Sequence, residues 1–190
     1  LTVEPHGYLE PCGCSETQSG GLSRRADLLK QIDDRGWPRA ALDLGGSLKR
    51  NRRQSEIKFE ALLDAMQQLG YAAMGVGREE LRLDPGYLLS IESPDRFPLF
   101  GANTVLFGME ESTMPKPYHA FEVAGKTVGV LSVVGDSYRD EVVPPRREGD
   151  DSTPNVDLKN AGESIAQQLE KLEAGDYGDK PELLVLLSHA

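Results

Sequence analysis

The sequence predicts an α/β fold, a layered and largely parallel sheet with flanking helices. Three observations carry this reading. Helical and strand patterns alternate in the first half of the chain, which implies parallel pairing through crossover helices. The C-terminal run Leu183-Leu184-Val185-Leu186-Leu187-Ser188-His189 is apolar on both faces, as a central parallel strand would be. The chain has 190 residues, 38% of them hydrophobic, enough for one sizeable core without requiring a second.

Taken in order, Leu1-Thr2-Val3 reads as the end of a strand. Leu22 to Arg35 follows as a helix, with Leu22, Ala26, Leu29 and Ile32 near a 3.6 period and Gly36 with Pro38 stopping it. Trp37, at that exit, is expected to cover the core. Ala40 to Leu44 is a short buried strand. Phe59, Leu62, Leu63, Met66 and Leu69 form the apolar stripe of a second helix that ends at Gly70, and Tyr71 to Val76 is the next strand. A short helix is expected over Tyr87 to Ser93 and a strand over Leu99 to Thr104. His119 is expected at the surface. Phe121 and Val123 on one side of Gly125, and Val128 and Val130 on the other, predict a hairpin turning at Ala124-Gly125-Lys126. Between 136 and 157 the composition shifts to charge and proline, an exposed insertion or a functional loop. Leu158, Ala161, Ile165, Leu169 and Leu172 then restore a helical period.

A formal net charge of -10 repels polyanions, which excludes a nucleic-acid backbone as the expected partner and leaves small anions open. No apolar run approaches the roughly 20 residues of a membrane-spanning helix. Two cysteines spaced C-x-C do not fix a redox compartment, and without C-x-x-C-H this chain has no place for covalent haem.

Ligands of doubly wound sheets collect at the carboxyl ends of strands. Four such ends are chemically suggestive: Glu4-Pro5-His6, Gly45-Gly46, Gly77-Arg78-Glu79-Glu80 and Ser188-His189. Together with Gly20-Gly21-Leu22-Ser23-Arg24-Arg25, Phe100-Gly101-Ala102-Asn103 and Gly125-Lys126-Thr127-Val128-Gly129-Val130, they make the sequence resemble the N-terminal domain of 5′-nucleotidase-like metallophosphoesterases, also called calcineurin-like phosphoesterases. The resemblance runs over nearly the whole chain. It implies one metallophosphoesterase-like domain over 1–190, incomplete at its C-terminus, with the charged Pro-rich loop at 136–157. That family carries D-x-H, G-D, G-N-H-E and S-H or T-H at these four strand ends, holding two divalent metals that activate water and clamp a phosphate.

Residue by residue the match departs from the pattern. Glu4 stands at the first aspartate, Gly46 at the bridging aspartate, and Arg78 and Glu79 at the asparagine and histidine, while His6 and His189 match. Glycine offers no side-chain ligand, and a guanidinium repels a divalent cation. Glu4, His6 and His189 therefore remain as a mononuclear metal set at most. The later G-H-x-H segment is not present before Ala190, so a further domain or partner is expected after it. No catalytic residue is assigned.

The stretch Pro11-Cys12-Gly13-Cys14 matches a variant of the family that looks like exported bacterial proteins, sometimes joined to multihaem cytochrome domains. For Cys12 and Cys14 a strained local disulfide, two soft metal ligands and plain packing are all open; the residues alone favour packing or a disulfide because the second pair of a zinc site is missing, while the resemblance implies a redox or metal role. Gly20 and Gly21, opening a helix that carries Arg24 and Arg25, form a candidate anion cradle, the alternative being two solvated arginines; Arg78 is a further candidate anion contact.

The expected function is a degenerate metallophosphoesterase-like domain serving as a binding or assembly module of an exported bacterial protein, periplasmic or extracellular by resemblance. The alternatives are an active metal-dependent hydrolase of 5′-nucleotides and an accessory domain of a multihaem redox complex. A divalent metal is the cofactor the resemblance implies. A protein partner or further domain, a multihaem cytochrome among the candidates, is expected.

Overall fold

The computed structural model describes residues 1–3, 5–6, 8–10, 20–50, 52–91, 98–109, 115–143, 145 and 153–190. Glu4, Cys12 and Cys14 lie outside the described residues, as do the end of the expected 87–93 helix and most of 144–152.

The elements run α1 (Leu22–Asp34), β1 (Ala41–Asp43), α2 (Arg53–Gln68), β2 (Tyr71–Gly75), α3 (Arg78–Leu81), α4 (Pro85–Ile91), β3 (Leu99–Phe100), β4 (Thr104–Leu106), β5 (Tyr118–Val123), β6 (Lys126–Val134), α5 (Arg139–Val142), β7 (Val156–Leu158), α6 (Ala161–Ala174) and β8 (Leu183–His189). The alternation of helix and strand produces the expected parallel pairing: β1 pairs with β2 and β2 with β3, all parallel. Thr2 adds a parallel bridge to Asp43 at the outer side of β1. A second sheet, ordered β5-β6-β8, carries the antiparallel hairpin at Ala124-Gly125 and the parallel pair β6–β8.

The two sheets stack face to face, with helices outside. Phe59, Leu62, Leu63 and Met66 of α2 cluster with Met74 and Leu99 on one face of the first sheet. Leu42, Ala73 and Phe100 on its other face meet Val128, Val130 and Leu187 of the second. Leu172 of α6 covers Leu131 and Tyr118 beyond that. The first sheet therefore buries both faces, which explains why its strands read as continuous apolar runs rather than alternating ones. The sheets approach closely where β2 meets β6: a Cβ on Gly75 would lie 2.4 Å from Ser132 Oγ.

Several sequence expectations change. The 99–104 segment is two strands rather than one, because Gly101 N donates to Lys116 O and Ala102 N to Ser132 O, turning the chain away before β4 joins β7 in a separate antiparallel pair. Leu158 belongs to that pair and not to the following helix, which begins after Asn160; its side chain caps the first turn by accepting from Glu163 N at 2.9 Å. β8 is parallel but lies beside β6 at the edge of its sheet rather than in the centre beside β2. Trp37 is 58% exposed under the Arg35 guanidinium, so it does not cover the core. His119 is half-buried and stacks on Phe100 at 4.9 Å, where burial lowers its pKa.

Candidate functional site

Although β2 and β8 lie in different sheets, their carboxyl ends converge. The close approach of the sheets brings the turn after β2 against the last residue of β8: a Cβ on Gly77 would lie 2.9 Å from the His189 ring and 2.9 Å from Gly46 N. Gly46, Gly77, Arg78, Glu79 and His189 thus share one edge of the molecule, as the strand-end pattern requires.

Glu80 fixes the geometry of this edge. It is fully buried, and its carboxylate accepts from Ser47 N at 2.6 Å, Gly77 N at 2.8 Å and Gly46 N at 3.1 Å, tying the loop after β1 to the start of α3. Burial pushes its carboxyl up in pKa, while the three backbone donors pull in the opposite direction. Asp43 has the matching role at the end of β1. It is also fully buried and accepts from Thr2 Oγ1, from Gly45 N at 2.9 Å and from Arg25 Nη1 at 3.3 Å. Gly45, next to Asp43's strand end, has φ +94°, and a Cβ there would meet Gly75 O at 2.6 Å, so the turn admits only glycine.

Above this frame lies a chain of ion pairs. Arg78 Nε donates to Glu79 Oε1 at 2.8 Å, and Arg78 Nη1 stands 3.4 Å from Glu141 Oε2. His189 Nε2 stands 3.3 Å from the other oxygen of Glu79, and the histidine side chain is only 3% exposed. The Arg78 guanidinium lies 4.6 Å from the centroid of the Tyr138 ring, whose centroid is 5.6 Å from that of His189. Burial alone would push Glu79 up, yet the close approach of His189 and the hydrogen bond from Arg78 bring its pKa down to about 2. Among the described residues, no group of three or more His, Cys, Asp or Glu side chains is placed to hold a metal ion.

The structure brings Arg78 and His189 together through Glu79, whereas His6 stands on the neighbouring loop, its backbone N–H donating to Gly46 O at 3.1 Å. Of the candidate anion cradle, Gly21 is the N-cap of α1, and the first-turn donor Ser23 N already bonds the Glu10 carboxylate at 3.0 Å. Arg25 turns inward to Asp43 and Arg24 stays exposed. Sequence reasoning missed Tyr138 and Glu141. Both come from the start of the charged 136–157 segment, where Asp136–Tyr138 forms a 3₁₀ turn and Arg139–Val142 forms α5. An isolated aromatic within a charge-rich stretch was the available signal.

Comparison with solved structures identifies the fold. The chain is similar to a 5′-nucleotidase precursor from Thermus thermophilus, with 25% identity and a TM-score of 0.72, over 98% of this chain and 36% of that one. It is similar also to an NAD nucleotidase from Haemophilus influenzae, with 20% identity and a TM-score of 0.67 over 100% of this chain and 33% of that one. A calcineurin-like phosphoesterase from Bacillus subtilis aligns at 18% identity and a TM-score of 0.62, over 99% and 60% of the two chains. The fold is therefore that of the metallophosphoesterase and 5′-nucleotidase structures, of which the chain spans about a third of the two nucleotidases' length. No protein-family model matches the sequence, and no curated protein matches it. No helix among the described residues is long and apolar enough to cross a membrane.

Proposed function

We propose that this chain is a metallophosphoesterase-fold binding module of an exported bacterial protein, in which an internal ion-pair network takes the place of the metal pair. The carrying observation is the Arg78–Glu79–His189 chain at the strand ends where the fold family holds metals. Its residue chemistry does not fit two divalent cations. Gly46 supplies no donor, the Arg78 guanidinium brings a fixed positive charge, and the His189 imidazole faces a carboxylate already neutralised by Arg78. The buried Glu80 clamp survives without metal because its partners are all backbone N–H groups.

The competing reading, a phosphoester hydrolase, draws on the nucleotidase names of the similar structures. The two are separated by metal content and turnover of the full-length protein, purified without chelator and then incubated with Mn²⁺ or Zn²⁺. A binding module retains less than one equivalent after desalting and releases no phosphate from 5′-nucleotides above the buffer rate. Two retained equivalents with turnover would establish the hydrolase instead.

A further inference from the structure

The segment after β6 faces two ways. Tyr138 and Glu141 reach Arg78, whereas Arg139 reaches β7, donating to Asp157 Oδ1 at 2.8 Å and to Leu158 O. On that second side a cavity of about 510 Å³ opens between Arg139, β7 and the first turns of α6. Among the described residues that line it, none belongs to the edge formed by Gly46, Arg78 and His189. Its two cations, Arg139 and Lys159, balance its two carboxylates, Asp157 and Glu163, so the lining is formally neutral in a chain of net charge -10. We propose that this cavity binds a neutral polyhydroxylated molecule, a sugar or another polyol. The site goes beyond the reading of the Arg78–Glu79–His189 edge and does not depend on it.

The walls are fixed before any ligand arrives. Asn160, where α6 starts, donates through Nδ2 to Asp136 Oδ2 at 2.9 Å and accepts through Oδ1 from Glu163 N at 2.9 Å. The backbone of Lys159 is held by the buried Asn103, its N–H donating to Asn103 O at 2.8 Å and its carbonyl accepting from Asn103 Nδ2 at 3.1 Å. A ligand therefore meets a frame it need not order. On that frame Gln167 is the i+4 neighbour of Glu163 and the i+3 neighbour of Ser164, so the three side chains converge on one face of α6. Ser164 is only 3% exposed although it lines the cavity, and among the described residues its hydroxyl makes no hydrogen bond to the protein. A hydroxyl so enclosed is costly unless another partner meets it. The side chains of Glu163 and Gln167 likewise bond to none of the described residues. An anion finds the helix start taken, Ala161 N by Asp136 Oδ1 at 2.9 Å and Glu163 N by Asn160, and it faces two carboxylates. A cation faces Arg139 and Lys159 instead. Hydroxyls, which both donate and accept, use the whole lining: Glu163 accepts, Ser164 and Gln167 do either, and Arg139 keeps N–H groups beyond those spent on Asp157 and Leu158. The volume lies within the roughly 300–1,000 Å³ range of small-molecule sites.

The test is a ligand-detected NMR titration of the full-length protein with D-glucose and sucrose as neutral probes, putrescine as a cation and glycine as a zwitterion. Binding of at least one sugar is expected, weakened about tenfold in Glu163→Gln, which loses a charged acceptor, and about fivefold in Ser164→Ala. Ser164→Ala should melt at the wild-type temperature, because its hydroxyl holds no part of the protein. The remote control Lys126→Ala, whose lysine pairs with Glu182, should leave binding unchanged. Failure of wild type to bind either sugar would overturn the proposal, as would affinity unchanged in both cavity variants. Tighter binding of putrescine or glycine than of both sugars would assign the cavity to a charged ligand and overturn it as well. A lower melting temperature of Ser164→Ala would give the hydroxyl to the structure and remove it from the site. The reading of the Arg78–Glu79–His189 edge is judged by metal content and turnover, and none of these outcomes touches it.

Discussion

Glu79 concentrates the electrostatics of the site, and its behaviour with pH is the sharpest residue-level consequence. Its pKa in the folded chain is about 2 against an ordinary value of 4.5. Because the folded value is depressed, the pairing contributes stability above pH 4.5 and loses it as pH falls from 4.5 towards 2. After allowance for solvent screening the loss is about 2 kcal/mol. Urea unfolding between these limits should show the decline in wild type and a flatter profile in Glu79→Gln; equal slopes would mean that Glu79 titrates normally. Glu80 makes a different demand. Glu80→Ala strands three buried N–H groups and is expected to cost about 3 kcal/mol, read from the urea midpoint. A loss under about 1 kcal/mol would show that water readily replaces the carboxylate. The sequence marked Arg78 as an anion contact, and the structure gives it the carboxylates of Glu79 and Glu141. The contributions of Tyr138 and Glu141 were not legible, because spacing along the chain carries no information about which distant loop closes over a site.

At the scale of elements, helix periodicity, with stop signals at Gly36 and Pro38 and at Gly70, made α1, α2 and α6 readable, and the hairpin at Gly125 followed from alternation around one turn signal. The 99–104 segment was misread as one strand because its turn is made by backbone hydrogen bonds to Lys116 and Ser132, which composition does not reveal. The approach of β2 to β6 was also invisible, yet it is what carries the end of β8 to the site. Gly75→Ala tests it: the added methyl would press on Ser132 Oγ, at 2.4 Å, and should destabilise by about 1–3 kcal/mol. A thermal midpoint equal to that of wild type would show that the sheets part without cost.

For the whole molecule, the edge of β8 matters most. A continuous apolar run signals burial on both faces but does not say what buries them. Here Leu183, Leu184 and Leu186 are 56%, 37% and 47% exposed on an edge strand. Unprotected apolar edges pair with other strands. The 190-residue chain handled alone is therefore expected to self-associate, and Leu184→Lys with Leu186→Lys to shift it towards monomer in sedimentation velocity; association unaffected by both would place the contact elsewhere. The strand ends at Gly46, Arg78 and His189 that carried the family resemblance converge as that fold requires, even though the strands belong to two sheets. The resemblance was readable from short motifs.

The central claim, that ion pairs occupy the place of a metal pair, is tested most directly by an anomalous difference map from crystals of the full-length protein grown with Mn²⁺. The account predicts Arg78 bonded to Glu79, Glu79 facing His189, and no manganese peak between Gly46 and His189. Two peaks about 4 Å apart beside His189, with Arg78 swung away, would contradict it.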